Sequence, residues 1–183
     1  MAGPTAVGKG TVAAYVREHY PEVWLSVSAT TRTPRPGEVD GLHYHFVDGV
    51  EFDRLERQGQ LLESAVVHGS ARYGTPRGPV EAALAQRRPA LLEIDLQGAR
   101  QVRAAMPDAL FVFLAPPSWD DLVHRLAGRG TETAQERATR LDTARTELAA
   151  ADEFDVVIIN DDVVRATEEL VSLMVDPHPA KES

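Results

Sequence analysis

The chain has 183 residues, a formal net charge of −9, 43 % hydrophobic residues and 26 % charged residues, the composition of one globular domain with room for an insertion. No stretch reaches the ~20 apolar residues needed to cross a bilayer, residues 1–4 do not open a secretory leader, and the negative charge argues against a nucleic-acid polymer as partner. The absence of cysteine excludes disulfides and thiolate metal sites and fits a reducing cytoplasm.

The first signal is Gly3-Pro4-Thr5-Ala6-Val7-Gly8-Lys9-Gly10-Thr11, a G-x-x-x-x-G-K pattern. Gly3 and Gly8 let the backbone curl so that successive N–H groups face one anion. A helix predicted over residues 8–19 adds its positive end, and Lys9 supplies a point charge for phosphate. The residue after Lys9 is Gly10, and the hydroxyl comes at Thr11, so direct Mg²⁺ ligation by the loop stays open. Such a loop ordinarily follows a buried strand. Only Met1 and Ala2 precede Gly3, so the expectation is a sheet without its usual first strand and a chain of low stability.

Further along, strands are predicted at residues 24–28, 61–67, 89–96, 109–115 and 154–159. The last three are nearly unbroken apolar runs, as expected of strands buried on both faces of a parallel sheet. Helices are predicted at 79–87, 98–106, 133–152 and 161–174, with one more starting at an N-cap on Ser118. Pro107 ends a helix, and Pro116-Pro117 stops a strand. This alternation implies an α/β fold, a parallel sheet flanked by helices with right-handed crossovers. Residues 29–82 break it with a polar, Pro- and Gly-rich stretch and read as an inserted substrate-binding lobe. Residues 120–141, rich in Arg, read as a lid. That leaves 1–28, 83–119 and 142–175 as the core and 176–183 as a frayed tail.

Arg32 and Arg35 stand three apart in the inserted lobe, with Ser28, Tyr44 and Tyr73 available. Two guanidinium forks and several hydroxyls suit a dianionic monophosphate; a solvated basic loop would look the same. Glu93 and Asp95 alternate out of an apolar strand, either as site carboxylates or as strand-end charges facing solvent. The six His have no metal-ligand spacing.

Several pieces together resemble the guanylate kinases, P-loop nucleoside monophosphate kinases: residues 26–35, Gly37-Glu38, Gly41, Tyr44-His45-Phe46, Leu61-Leu62-Glu63, Tyr73-Gly74-Thr75, residues 92–98, Ala115-Pro116-Pro117-Ser118, residues 125–132, Arg140-Leu141 and Ile159-Asn160-Asp161-Asp162. The resemblance covers the chain to about residue 175. It implies a core domain of the P-loop NTPase type, a GMP-binding lobe and a lid, and transfer of the terminal phosphoryl group of ATP to GMP or dGMP with Mg²⁺. It implies that Ser28, Arg32, Arg35, Tyr44 and Tyr73 hold the GMP phosphate, and that Glu63 and Thr75 read the guanine edge. Asp95 would touch the GMP ribose or the hydrated Mg²⁺, with Glu93, also on the GMP side, near Lys9 of the loop. Lys9, Arg125, Arg129 and Arg140 would neutralise the transferred group. Asn160 and Asp161 would lie near the adenine. Mg²⁺ would be held mainly by phosphates and water, with Thr11 or Asp95 as candidate ligands. Two other readings stay open: a guanylate-kinase-like binding module without activity, and a related kinase with another acceptor. The oligomeric state is not legible.

Overall fold

The computed structural model describes residues 1–67, 71–127 and 134–175. In chain order the elements are α1 (Lys9–His19), β1 (Trp24–Leu25), β2 (Ala29–Thr30), β3 (His45–Phe46), α2 (Gly49–Arg57), β4 (Leu61–Val67), β5 (Ala71–Pro76) and α3 (Arg77–Ala85). They continue with β6 (Ala90–Leu91), α4 (Leu96–Ala105), β7 (Val112–Ala115), α5 (Trp119–Ala127), α6 (Ala134–Ala149), β8 (Val156–Ile159) and α7 (Val163–Val175). The chain divides into two compact units: Met1–Val23 with the residues from Leu110 onward, and Trp24–Ala109.

In the first unit, β7 and β8 pair in parallel from Val112↔Val156 to Ala115↔Ile159. All four β7 side chains are buried, and Pro116-Pro117 then removes the donors a longer strand would need. Ala2 forms a parallel bridge to Phe113 on the edge away from β8. Its N–H donates to the Val112 carbonyl at 2.9 Å, and its own carbonyl accepts from Leu114 at 2.7 Å. Where a strand ordinarily precedes such a loop, the described residues hold one bridged residue, Ala2. Residues 154–159 do not form a strand buried on both faces. Ile158 is 1 % exposed, but Val157 and Ile159, on the alternate face, are 43 % and 40 % exposed, so only one face of β8 is covered. Ser118 caps α5 as expected, its Oγ accepting from the Asp121 N–H at 3.0 Å. α1 turns Val12, Ala13 and Val16 inward, and α7 turns Ala166, Thr167, Leu170 and Val171 inward.

The second unit holds a sheet of order β3-β2-β5-β4. β2 and β3 run parallel, while β2–β5 and β5–β4 are antiparallel. Ala29, Phe52 and Leu61 form a core cluster, with Val47 and Leu55 packed against it. Its helix α2 was not expected from periodicity. The signal is Asp48-x-x-Glu51: the Asp48 carboxylate caps the helix by accepting from the Glu51 N–H at 2.8 Å. The strands expected at 24–28 and 89–96 shrink to the two parallel pairs of β1 and β6. At 89–96 the ladder ends at Leu91, and Asp95 opens the next element. Its carboxylate accepts from the Gly98 N–H at 2.7 Å and caps α4, which starts at Leu96.

Candidate active site

The loop ahead of α1 curls as its glycines allow. Gly3 has φ +152°, and a Cβ there would stand 2.2 Å from the Leu114 carbonyl oxygen in β7. Gly8 has φ +104° and lies against the Asn160 side chain, which a Cβ would approach to 2.6 Å. Even Ala6 adopts φ +63°, a strained conformation of the kind that collects at functional loops. The Lys9 ammonium donates back into its own loop, to the Gly3 carbonyl at 2.5 Å and the Pro4 carbonyl at 3.2 Å. The charge is thereby held against the curled loop. From α6, Glu147 reaches the same loop and accepts from the Thr5 N–H at 3.1 Å.

Beside the loop lies a cavity of about 390 Å³ lined by Ala6, Gly8, Thr11, Arg125, Asn160, Asp161 and Val163. Its size is that of a small-molecule site. One wall is tied together by hydrogen bonds. The Asn160 amide donates to the Val7 carbonyl at 2.8 Å. The Arg125 guanidinium donates to the Val7 and Asn160 carbonyls, each at 3.0 Å. Arg125 thus links α5, the glycine-bearing loop ahead of α1 and the residue after β8. Asp161 pairs with Arg165 on α7, and that bond holds its carboxyl below the ordinary range. Arg140 lies on α6 two turns before Glu147 and so on the same helix face. Arg129, the other expected lid arginine, falls outside the described residues.

The second unit gathers most of the residues expected around a monophosphate. Arg32 Nε donates to the Tyr73 hydroxyl at 3.1 Å, and its carbon Cζ lies 5.4 Å from the Tyr44 ring centre. Tyr44 and Tyr73 meet edge to face at 5.8 Å. Burial, and next the charge of Glu93, push the Tyr44 hydroxyl above its ordinary value. Glu38 clamps the cluster. It takes both terminal nitrogens of Arg32, at 2.9 and 2.8 Å, and the Arg35 N–H at 2.6 Å. The Arg32 bonds hold the Glu38 carboxyl down at about 2. Arg35 and Glu93 are exposed, while Ser28 is half-buried and accepts through its backbone from the His45 N–H at 2.9 Å.

Glu63 is 5 % exposed, and one carboxylate oxygen accepts from the Thr75 hydroxyl at 2.7 Å. Burial, reinforced by the nearby charge of Asp95, raises its carboxyl to about 6 despite the Thr75 bond. Gly98 on α4 leaves the space for this carboxylate: a Cβ there would stand 2.7 Å from Glu63 Oε2 and would displace it. The group of three or more acidic or imidazole side chains that a protein-built metal centre needs does not occur among the described residues.

The family model described as guanylate kinase matches residues 1–176. The chain belongs to this family. It is 62 % identical to the guanylate kinase of Leifsonia xyli over 184 residues, covering 100 % of this chain and 72 % of that one. With the guanylate kinase of Frankia casuarinae it shares 61 % identity, over 96 % of this chain and 95 % of that one. Its fold matches the crystal structure of guanylate kinase from Anaplasma phagocytophilum with a TM-score of 0.78 at 30 % identity, covering 98 % of this chain and 85 % of that one. The sequence pairs neither Glu38 with Arg32 nor Glu147 with Thr5. Glu38 left a local trace, a carboxylate three residues after Arg35 across a Pro-Gly turn. Glu147 left none, because its partner Thr5 is 142 residues away.

Proposed function

We infer that this guanylate kinase family member transfers the terminal phosphoryl group of ATP to GMP, giving ADP and GDP. What carries the reading is identity near 60 % with guanylate kinases over nearly the full length of both chains. Nothing in those comparisons favours a binding module without activity. In this reading loop residues 3–11 and Lys9 hold the ATP phosphates, and the cavity walled by Asn160 and Asp161 takes the adenine. Ser28, Arg32, Arg35, Tyr44 and Tyr73 take the GMP phosphate, Glu63 and Thr75 the guanine edge, and Asp95, with Glu93, the ribose side. Lys9, Arg125, Arg129 and Arg140 neutralise charge on the transferred group, so positioning and electrostatics supply most of the catalysis. We assign residues 29–82 to the GMP lobe, 120–141 to the lid, and 1–28, 83–119 and 142–175 to the core.

The donor set suits Mg²⁺ bound mainly through nucleotide oxygens and water, as this ion prefers, with the Thr11 hydroxyl beside the cavity as a protein oxygen within the loop. When bound, the ion would neutralise phosphate charge. The reading extends to dGMP as a second acceptor and to GMP recycling in the cytoplasm, in purine nucleotide metabolism. No helix among the described residues is long and apolar enough to cross a membrane.

A coupled assay of ADP release tests this. Release should depend on GMP and be far slower with AMP; equal rates would overturn the acceptor assignment. Lys9→Ala should lower turnover by at least about a hundredfold, the scale of losing one transition-state donor, with GMP binding by calorimetry little changed. Arg32→Ala and Arg35→Ala should each raise the KM for GMP about ten- to a hundredfold, the equivalent of one charge-assisted bond. The KM for ATP should move much less.

A further inference from the structure

The β4–β5 ladder slips by one residue between Leu61↔Pro76 and Ser64↔Gly74, so Leu62 and Glu63 stand opposite Thr75 alone. This is a β-bulge, the irregularity that re-aims a side chain next to a site. Here the re-aimed side chain is Glu63, turned inward onto Thr75. A one-residue slip of an outer strand would restore the regular ladder and turn its side chains to the other face. β4 is such a strand, last in the order β3-β2-β5-β4. Something must hold the irregular register.

Gln101 on α4 does so. Its amide oxygen accepts from the Ser64 N–H at 3.0 Å, and its amide nitrogen donates to the Ser64 carbonyl at 2.7 Å. One carboxamide thus satisfies both backbone groups of the residue after the bulge, as a neighbouring strand would. The Ser64 hydroxyl adds a third tie, donating to Glu56 at 2.5 Å. Gln101 lies one helical turn after Gly98, the residue whose missing side chain makes room for the Glu63 carboxylate. Two successive turns of α4 therefore act on two successive residues of β4: Gly98 admits the Glu63 carboxylate, and Gln101 holds the backbone of Ser64.

We propose that Gln101 is a positioning residue for base recognition, fixing the bulge that aims Glu63 at the guanine edge. This rests on Glu63 being the guanine acceptor, so the test separates the two. Steady-state KM values for GMP and ATP are measured on the full chain for the wild type, Gln101→Ala, Gln101→Glu, Glu63→Ala and the double variant Glu63→Ala with Gln101→Ala. Gln101→Ala should raise the KM for GMP about tenfold, the equivalent of two ordinary hydrogen bonds, and leave that for ATP unchanged. The near-isosteric Gln101→Glu sets a carboxylate oxygen against the Ser64 carbonyl in place of the donor, and should raise it at least as much as Gln101→Ala. In the Glu63→Ala background Gln101→Ala should add nothing, which a merely structural role would not produce. An unchanged KM for GMP in Gln101→Ala, the same factor on both substrates, or the same factor with and without Glu63 overturns the proposal. If Glu63→Ala itself leaves the KM for GMP unchanged, the base-reading assignment falls, and the proposal with it.

Discussion

A carboxylate loses solvation on burial and is harder still to ionise beside a second one. Glu63 meets both conditions, with Asp95 as the second, and its carboxyl stands at about 6. Only the ionised form offers acceptors alone to the paired donors of guanine, N1–H and the exocyclic amine. The KM for GMP should therefore rise as pH falls through about 6. The GMP phosphate titrates in the same range, near a pKa of about 6, so the comparison that matters is with Glu63→Gln. That variant should bind GMP more weakly at every pH and keep only the shallower dependence of the phosphate. KM profiles between pH 5 and 8 that have the same shape in both proteins would show that Glu63 does not titrate there. Glu38 is a carboxylate of the opposite kind: two Arg32 bonds and the Arg35 N–H hold it ionised, which in turn fixes the guanidinium that we assign to the GMP phosphate.

At the level of elements, α4 shows how a helix start and a site are built from the same atoms. The Asp95 carboxylate caps α4 through the Gly98 N–H, and Gly98 gives Glu63 its space. Capping and ligand binding can be separated because Asn caps as well as Asp while carrying no charge. Asp95→Ala should cost about 1 kcal/mol of stability and lower the melting temperature by about 2–4 °C. Asp95→Asn should melt like the wild type. If Asp95 touches the GMP ribose or a hydrated metal ion, both variants raise the KM for GMP severalfold. A normal KM in Asp95→Asn would confine the residue to capping.

For the unit Trp24–Ala109 as a whole, Glu38 and Glu63 pull stability in opposite directions with pH. Glu38 is held at about 2 in the folded chain against an ordinary 4.5, so its contribution is complete above 4.5 and lost as pH falls through 2. Glu63 stands at about 6 against the same 4.5, so its contribution is present below 4.5 and lost as pH rises through 6. Melting temperature against pH should therefore fall less on the alkaline side in Glu63→Gln, and less on the acid side in Glu38→Gln, than in the wild type. Parallel curves in all three proteins would contradict both assignments.

Local structure was legible in the sequence because local causes set it. Gly3 and Gly8 in the loop ahead of α1 adopt conformations that other residues resist. Ser118 caps α5 through its own hydroxyl, Pro116-Pro117 stops β7, and the helical stretches carry their own propensity. The order of motifs along the chain is enough to show its resemblance to the guanylate kinases. What tertiary structure alone decided depends on partners distant along the chain. Thr5 meets Glu147 across 142 residues, and Arg125 joins the Val7 carbonyl across 118. The exposed face of β8 depends on what lies over it, which an apolar run cannot report. The bulge that turns Glu63 onto Thr75 is a matter of register between two strands, held from a third element by Gln101. A run of residues records its own periodicity and turn chemistry, but not the alignment of the strand beside it or the helix packed against it. Those are chosen by the burial and hydrogen bonding of the whole unit.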